Sequence, residues 1–284
     1  MTTLQLGFKA FDAHELLCHF VAHEAGLYKQ ENLNIELLDI TFIAEADLPK
    51  SVFQASCGAA LASAIKGIAQ RVIFVATVSP MFWIYSSRQL TKLEELKDKK
   101  LSTFPTMAPP HHLANIVLNN AGVNVAECVE LLPARDDVAR FGLLKSGAVE
   151  AAVISSALSP IKIQQAGFNK LCMIGEEISI PTTGLAIDQF YLDKEPQLAQ
   201  TFTAILKKSL SIIQNDPASI ARVLKKYFDV EDDFKDETAH LYQQYYTQNG
   251  RCSDAVAQKA IDSLCSSFSI NPVPKWDSIY QFSD

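Results

Sequence analysis

Apolar and polar positions along this chain switch repeatedly between a two-residue and a three-to-four-residue period, and the switches outline alternating strands and helices. Leu4–Lys9 reads as a short strand. Asp12, with Glu15 three residues on, makes a capping box. Leu16, Leu17, Phe20 and Val21 then recur at helical spacing until Gly26 stops the helix. Leu33–Asp39 is the next strand, and a linker with Glu45, Asp47 and Pro49 leads to Ser56-Cys57-Gly58, the start of a small-residue helix ending near Gly67. Val72–Thr77 is apolar throughout, as expected at the centre of a parallel sheet, and Phe82–Ser86 is another short strand.

The charged run Lys92–Lys100 marks a change of region. After it, Leu101, Thr103 and Phe104 suit a strand, Pro109 and Pro110 fit the first turn of a helix, and Leu113, Ile116 and Val117 continue that helix to Gly122. A strand at Cys128–Leu132, a helix from Asp136 to Ser146, a strand at Ala151–Ile154, a helix from Pro160 to Gly167 and strands at Lys170–Ile174 and Gly184–Asp188 follow. Strands alternating with helices imply βαβ units and mostly parallel sheets. The remainder is helical over Pro196–Gln214, Pro217–Tyr227, Lys235–Asn249 and Ser253–Phe268, before a Pro-broken aromatic tail. No solenoid repeat is visible.

At 284 residues the chain holds one large domain or two modest ones, each with a real core. Hydrophobic residues make up 48% and charged residues 20%, ordinary for a globular protein, and the net charge of −7 argues against a nucleic-acid groove, which wants a basic patch. No apolar run reaches the roughly 18 residues that span a membrane, and the N-terminus lacks a signal-peptide pattern. A cytoplasmic protein is therefore expected as the sequence is written, or a periplasmic or lipid-anchored one if a leader has been removed. The six cysteines, at 18, 57, 128, 172, 252 and 265, have no metal-ligand spacing and read as free thiols. Neither a metal nor a cofactor is expected.

Four segments carry a family resemblance. His19–Asp39 (HFVAHEAGLYKQENLNIELLD) resembles the opening helix, glycine, aromatic and strand of a solute-binding family. Leu93–Thr103 (LEELKDKKLST) is similar to its entry into the second domain, with Asp98 where glycine is usual. Leu143–Ser155 and Phe168–Glu177 match its next two steps, so that the likeness runs over residues 4–215. The family contains sulfonate-, taurine- and nitrate-type binding proteins of ABC transporters and the fungal thiamine-pyrimidine synthase. The resemblance implies a two-lobed, periplasmic-binding-protein-like (type II) α/β fold with a ligand cleft between the lobes and closure about hinges near 86–92 and 178–184. Lobe one would be 1–90 plus 182–284, and lobe two 91–181. It implies a small-molecule ligand and, for an uptake system, an ABC-transporter permease as partner. In the synthase branch the active-site lysine and histidine fall on Ala55 and Ala59 here, and its cysteine-rich run falls on Ile178–Gly184. The pyrimidine-forming reaction is therefore not expected.

In open α/β sheets, ligands sit outside the carboxyl ends of the strands, where helix N-termini point. Five turns meet that rule. They bring Phe11 and His14; Ser56 and Cys57; Ser79 and Met81; Thr106, His111 and His112; and Ser155 and Ser156, with Thr182 and Thr183 at the return crossover. Hydroxyls and backbone N–H groups suit a polar or anionic solute, with Phe11, Met81 and Trp83 as apolar walls. The same hydroxyls also suit helix capping. A histidine in a helix's first turn is disfavoured as a cation, so neutral imidazoles are expected. No nucleophile or paired carboxylate stands beside them, which favours binding over catalysis. His19 and His23, at i and i+4, are expected on an exposed helix flank rather than on zinc. Arg135 and Arg140 read as helix-end charges, with Arg135 in reach of an anion, and Cys57 as a buried thiol or a helix-start thiolate. Two readings stand beside solute binding: a cytoplasmic enzyme on the same fold, and a cytoplasmic ligand sensor.

Overall fold

The computed structural model describes every residue except Met107, Arg135, Ser283 and Asp284; the side chains of Glu45, Glu127 and Cys128 are also left out. The anion role considered for Arg135 and the thiol of Cys128 thus lie outside the described residues. Among the described residues ten strands form: β1 (Thr2–Phe8), β2 (Leu33–Asp39), β3 (Phe53–Gln54), β4 (Gln70–Thr77), β5 (Phe82–Ser86), β6 (Lys99–Thr103), β7 (Val129–Pro133), β8 (Ala151–Ser155), β9 (Asn169–Met173) and β10 (Thr183–Asp188). They make two five-stranded sheets, ordered β2-β1-β3-β10-β4 and β7-β6-β8-β5-β9.

The two sheets share one topology. In each, one strand is reversed: β10 pairs antiparallel with β3 and β4, and β5 pairs antiparallel with β8 and β9, while the other described pairs are parallel. The chain divides into two compact units. The first holds Met1–Val78, Ile180–Asp229 and Ala239–Asp284; the second holds Ser79–Ser179 and Val230–Thr238. Each reversed strand is the first one laid down after the chain passes into its unit.

Two boundaries differ from those read in the sequence. The lobe bounds that the resemblance implies put β5 in lobe one, yet every residue from Phe82 to Ser86 pairs with β8, so the second unit starts at Ser79 rather than at 91. Its partners lie far downstream, and no local pattern announces a pairing of that kind. The helix Asp232–Gln243 also begins in the second unit: Lys162 Nζ lies 2.5 Å from Glu231 Oε1, and the hydroxyls of Ser159 and Thr238 are 2.8 Å apart. The chain therefore passes between units four times, not twice.

β4 is as apolar as a central strand but stands at the end of its sheet. Its outer side is covered by the C-terminal segments instead. Val75 N–H donates to Gly250 O (2.8 Å), Thr247 N–H to Ala76 O (2.8 Å) and Gln281 N–H to Val72 O (2.9 Å). An edge so covered has no open ladder to recruit another chain, and both its faces can be apolar. The helix Ala13–Glu24 buries Leu16, Leu17, Phe20 and Val21, and it packs against the helices Pro196–Asn215 and Pro217–Phe228 of the same unit. No helix among the described residues is long and apolar enough to cross a membrane.

Asp98 gives the family pattern a physical reason. It stands where glycine is usual, and its φ is +59°, in the left-handed region that glycine enters without steric cost. Asp98→Gly should leave the fold unchanged and raise stability by about 0.5–1 kcal/mol, the usual gain when backbone strain at such a position is relieved. A shift of the denaturation midpoint measures it; a loss of stability would show that the Asp98 side chain holds the turn.

Candidate functional site

In the first unit, the end of β1 is organised by two carboxylates. Asp12 Oδ1 accepts the Glu15 amide at 2.9 Å, capping the helix Ala13–Glu24. Glu15 does not close a simple capping box. Its carboxylate reaches past Asp12 to the strand end and accepts from the amides of Lys9 (2.8 Å) and Ala10 (3.0 Å). Burial, then the neighbouring Asp12, pushes the Glu15 carboxyl up to about 8, against the pull of those two amides.

His14 follows and is buried, with Nε2 2.8 Å from Thr182 Oγ1. Burial lowers its pKa to about 3, so the ring is neutral. The segments 54–58 and 182–184 lie side by side: Gly58 N–H donates to Thr182 O (2.9 Å) and Gly184 N–H to Ala55 O (2.8 Å). A Cβ at Gly58 would come 3.2 Å from Thr182 Cα, so the approach needs a residue without a side chain. The structure thus gathers His14, Ser56, Cys57, Thr182 and Thr183 at one end of this sheet. It adds Gln54, which sequence reasoning passed over. Gln54 Oε1 and Thr183 Oγ1 are buried without a hydrogen-bond partner.

Several expectations change here. Ser56 holds the N-cap position of the helix Cys57–Ile65 but makes no side-chain cap. The amides at that helix start are already used: Cys57 N–H meets Ala55 O (3.0 Å), Gly58 N–H meets Thr182 O, and Ala59 and Ala60 N–H meet Ser56 O (3.1 and 3.2 Å). The Cys57 thiol is buried, and burial holds it well above its usual pKa, so no thiolate forms there. Phe11 is 50% exposed, within 6 Å of Phe8, Phe20 and Phe228 (5.6, 5.8 and 5.8 Å between ring centroids). His19 is not on an exposed flank. It is buried, its Nδ1 2.9 Å from Tyr28 Oη, and burial lowers its pKa to about 3. His23 alone of that pair is exposed.

In the second unit the corresponding sheet end is built around Phe104. The Arg140 guanidinium lies 3.5 Å from the Phe104 ring centroid, and the Phe82 ring meets it edge-on at 5.4 Å. Arg140 is fully buried rather than a solvated helix-end charge. It donates to Val153 O (2.8 Å), Ala134 O (2.9 Å) and Asp137 Oδ1 (2.7 Å). Asp137 in turn accepts from the Ser155 amide (2.7 Å, Oδ1) and hydroxyl (2.7 Å, Oδ2). Ser155 is therefore committed to this network. The following helix, Pro160–Gln165, is capped by Ser159. Ser156 is buried beside it.

The helix Pro109–Asn120 starts at the N-cap Ala108, and Thr106 is exposed ahead of it. Pro109 and Pro110 have no N–H, and His111 N–H donates to Ala108 O (3.0 Å). At this helix start the Ala108 and His111 amides are bonded within the chain, to Pro105 O (2.8 Å) and Ala108 O (3.0 Å). His111 is buried; burial and then His112 lower its pKa, against a hydrogen bond with the Phe104 backbone. His112 is exposed, its ring 5.6 Å from that of His111. Met81 and Trp83 are packed in the core and form no open wall, and Ser79 is half-buried. Thr103 Oγ1, His111 Nδ1 and Asn115 Oδ1 are buried without partners. Thr103 precedes Phe104 directly, and Asn115 follows His111 by one helical turn on the same face.

Asp137, Gln54 and Asn115 are the residues that sequence reasoning missed. Gln54 and Asn115 had a signal: each is a lone amide inside an otherwise apolar stretch, VFQA and LANIV. Asp137 had none, because its partner Ser155 is brought to it only by the packing of a helix on β8. Among the described residues, no three His, Cys, Asp or Glu side chains are grouped so as to hold a metal ion. The five described cysteines are free thiols.

Known structures share this fold over the whole chain. A protein of Bordetella bronchiseptica RB50 superposes with a TM-score of 0.80 at 15% identity, covering 100% of this chain and 95% of that one. The alkanesulfonate-binding protein SsuA of Xanthomonas axonopodis pv. citri, bound to MOPS, gives 0.76 at 13% identity, covering 100% and 99%. The CA3427 gene product of Candida albicans, which exhibits the generic periplasmic binding protein fold, gives 0.72 at 14% identity, covering 99% and 96%. The chain's fold is thus that of periplasmic binding proteins. No curated protein matches the sequence. The family model described as "NMT1/THI5 like" matches residues 14–220, nearly three-quarters of the chain, and the protein belongs to the NMT1/THI5-like family.

Proposed function

We propose that this protein binds a small polar or anionic solute at the strand ends of its two units, as a substrate-binding component of an ABC-type uptake system or a relative of one. One observation carries the reading. The buried polar atoms left without partners at the strand ends described above are Gln54 Oε1, Thr183 Oγ1, Thr103 Oγ1, His111 Nδ1 and Asn115 Oδ1. An unpaired buried polar group costs about 1–3 kcal/mol, so in each unit these atoms are expected to meet a polar partner. Family membership supports a solute as that occupant, and the sulfonate bound by the Xanthomonas relative supports testing organic acids among the candidates. A transporter permease is the partner that this reading implies.

The test begins with the small molecule extracted from denatured, freshly purified protein, titrated by calorimetry into refolded wild type and into Thr103→Val. Removal of the hydroxyl should weaken binding about 5- to 30-fold, the equivalent of about 1–2 kcal/mol. Equal affinity in the two proteins would remove Thr103 from the site. Conversion of the molecule during the titration would favour the enzyme reading instead.

A further inference from the structure

We infer that Val230–Thr238 is a releasable strap: it lets go of the second unit while the helix it begins stays whole and stays fixed to the first. The inference does not depend on the solute reading. The helix Asp232–Gln243 belongs to both units, its first seven residues to the second and its last five to the first. An α-helix is a continuous hydrogen-bonded rod. A change in the arrangement of the two units must therefore be taken up here, by a bend near Thr238 or by loss of one anchorage. Sharp bends come from proline, from Gly/Ser pairs, from π-bulges or from an inserted group. The run DDFKDETAHLYQ has no proline, glycine or serine and is α-helical throughout. Release is thus the easier route, and the anchorage that buries less gives way. On the first unit, Ala239 and Tyr242 are 0% exposed, and Gln243 Nε2 donates to Ile213 O (3.0 Å) and Gln214 O (2.7 Å). On the second, Val230 and Thr238 are buried, but Glu231, Asp232, Asp233, Asp236 and Glu237 are all exposed. The Lys162–Glu231 pair there has side chains 55% and 54% exposed, and such a pair holds little. Lys235 pairs with Asp232 (3.0 Å) inside the helix, a contact that survives release. The Ser159 hydroxyl, 2.8 Å from that of Thr238, also caps Pro160–Gln165 and so closes the turn after β8 that holds Ser155 and Ser156. Strap and strand end therefore share one residue.

Thiol labelling along the helix tests this in the full chain. Thr238→Cys and Ala239→Cys put a thiol at adjacent buried positions, one in each unit's share of the helix. Each variant, confirmed as folded by circular dichroism, is pulsed with N-ethylmaleimide and read peptide by peptide by mass spectrometry. Cys172, buried in the second unit, and Cys265, buried in the first, report unfolding of their own unit. Cys265 also serves as the first unit's reference if Ala239→Cys does not fold. The inference expects the thiol in Thr238→Cys to be labelled at least about tenfold faster than that in Ala239→Cys and than Cys172. Amide exchange over 236–243 should stay uniformly slow, because the helix moves without unravelling. Lys162→Glu, added to Thr238→Cys, sets a like charge against Glu231 and should raise the labelling rate by about threefold or more. Equal rates at 238 and 239 would mean that the helix opens as one piece, and Cys172 labelled as fast as the thiol in Thr238→Cys would trace the exposure to unfolding of the second unit; either overturns the strap. Amide exchange at 236–238 as fast as the labelling, or a rate unchanged by Lys162→Glu, would overturn it too.

Discussion

Asp137→Ala should destabilise the protein by about 3–5 kcal/mol, the usual cost of leaving a buried charge without its partner. Arg140 is fully buried, and Asp137 supplies its only described counter-charge at 2.7 Å. The same carboxylate also takes the Ser155 amide and hydroxyl, each at 2.7 Å. Its removal therefore orphans a guanidinium N–H and two further donors at once. A buried pair contributes little net stability, because desolvation of both ions offsets much of their attraction. The double variant Asp137→Leu with Arg140→Met should accordingly lose clearly less than the two single variants summed. Urea denaturation of the four proteins closes the cycle. Since the second unit holds both residues, the transition that shifts should be the one that reports on that unit, and a two-step curve is the expected form if the units unfold separately. A cost below 1 kcal/mol for Asp137→Ala would mean that Arg140 finds water and that the network around Phe104 is not a fixed frame.

The second large effect is on acid stability. His14 and His19 are neutral in the fold, with pKa values lowered by burial to about 3 from an ordinary 6.5. Between those values the unfolded chain binds a proton at each ring and the folded chain does not, so each contributes stability that is present above pH 6.5 and lost as pH falls. Glu15 acts in the opposite sense. Its carboxyl is raised by burial and by Asp12 from 4.5 to about 8, so between those values the folded state holds the extra proton and stability falls as pH rises. Each group changes stability by about 1.4 kcal/mol per pH unit in its window. From pH 8 down to 6.5 only Glu15 acts, and stability rises. From 6.5 to 4.5 His14 and His19 oppose Glu15, a net loss of about 1.4 kcal/mol per pH unit, and the lowered His111 acts in the same sense. Below 4.5 Glu15 no longer opposes the histidines, and Glu24, Asp39 and Asp216, held low by their hydrogen bonds, add to the loss, so the limb steepens. A maximum near pH 6.5, and a fall of about 3 kcal/mol by pH 4.5, is a large part of a typical 5–15 kcal/mol. Denaturation curves at four pH values measure it. The double variant His14→Gln with His19→Gln should flatten the acid limb; an equally steep limb in that variant would assign the loss to other groups.

Much of this architecture was legible in the chain because it is written in local signals. The helix Pro109–Asn120 has prolines at its start and Gly122, at φ +79°, just past its end. β2 and β5 have the bounds that their apolar runs indicate. The family resemblance rests on such local pieces too, and Asp98 at φ +59° shows that one of its departures keeps the backbone shape while changing the residue. What stayed hidden is nonlocal. β4 has the composition of a central strand yet stands at a sheet end, because segments from the C-terminal region cover it. β5 moved to the second sheet because its partners, β8 and β9, lie far along the chain. At the candidate site, residue type at a turn predicted position well and role poorly. Ser155, Ser56 and Thr106 are all where strands end, but Ser155 is held by Asp137, Ser56 caps nothing and Thr106 is exposed. Whether a hydroxyl caps, binds a neighbour or waits unpaired depends on the group packed against it, and no spacing rule encodes that.

The central claim is that the unpaired polar atoms at the strand ends exist to meet a solute. Native mass spectrometry of freshly purified protein, sprayed from a volatile buffer without denaturation, tests it most directly. The account predicts a single small-molecule adduct at one per chain, reduced or lost in a Thr103→Val, Asn115→Leu double variant that remains folded. An adduct retained equally by the variant, or a bare chain mass from every preparation that also fails to bind any small polar molecule in titration, would contradict it.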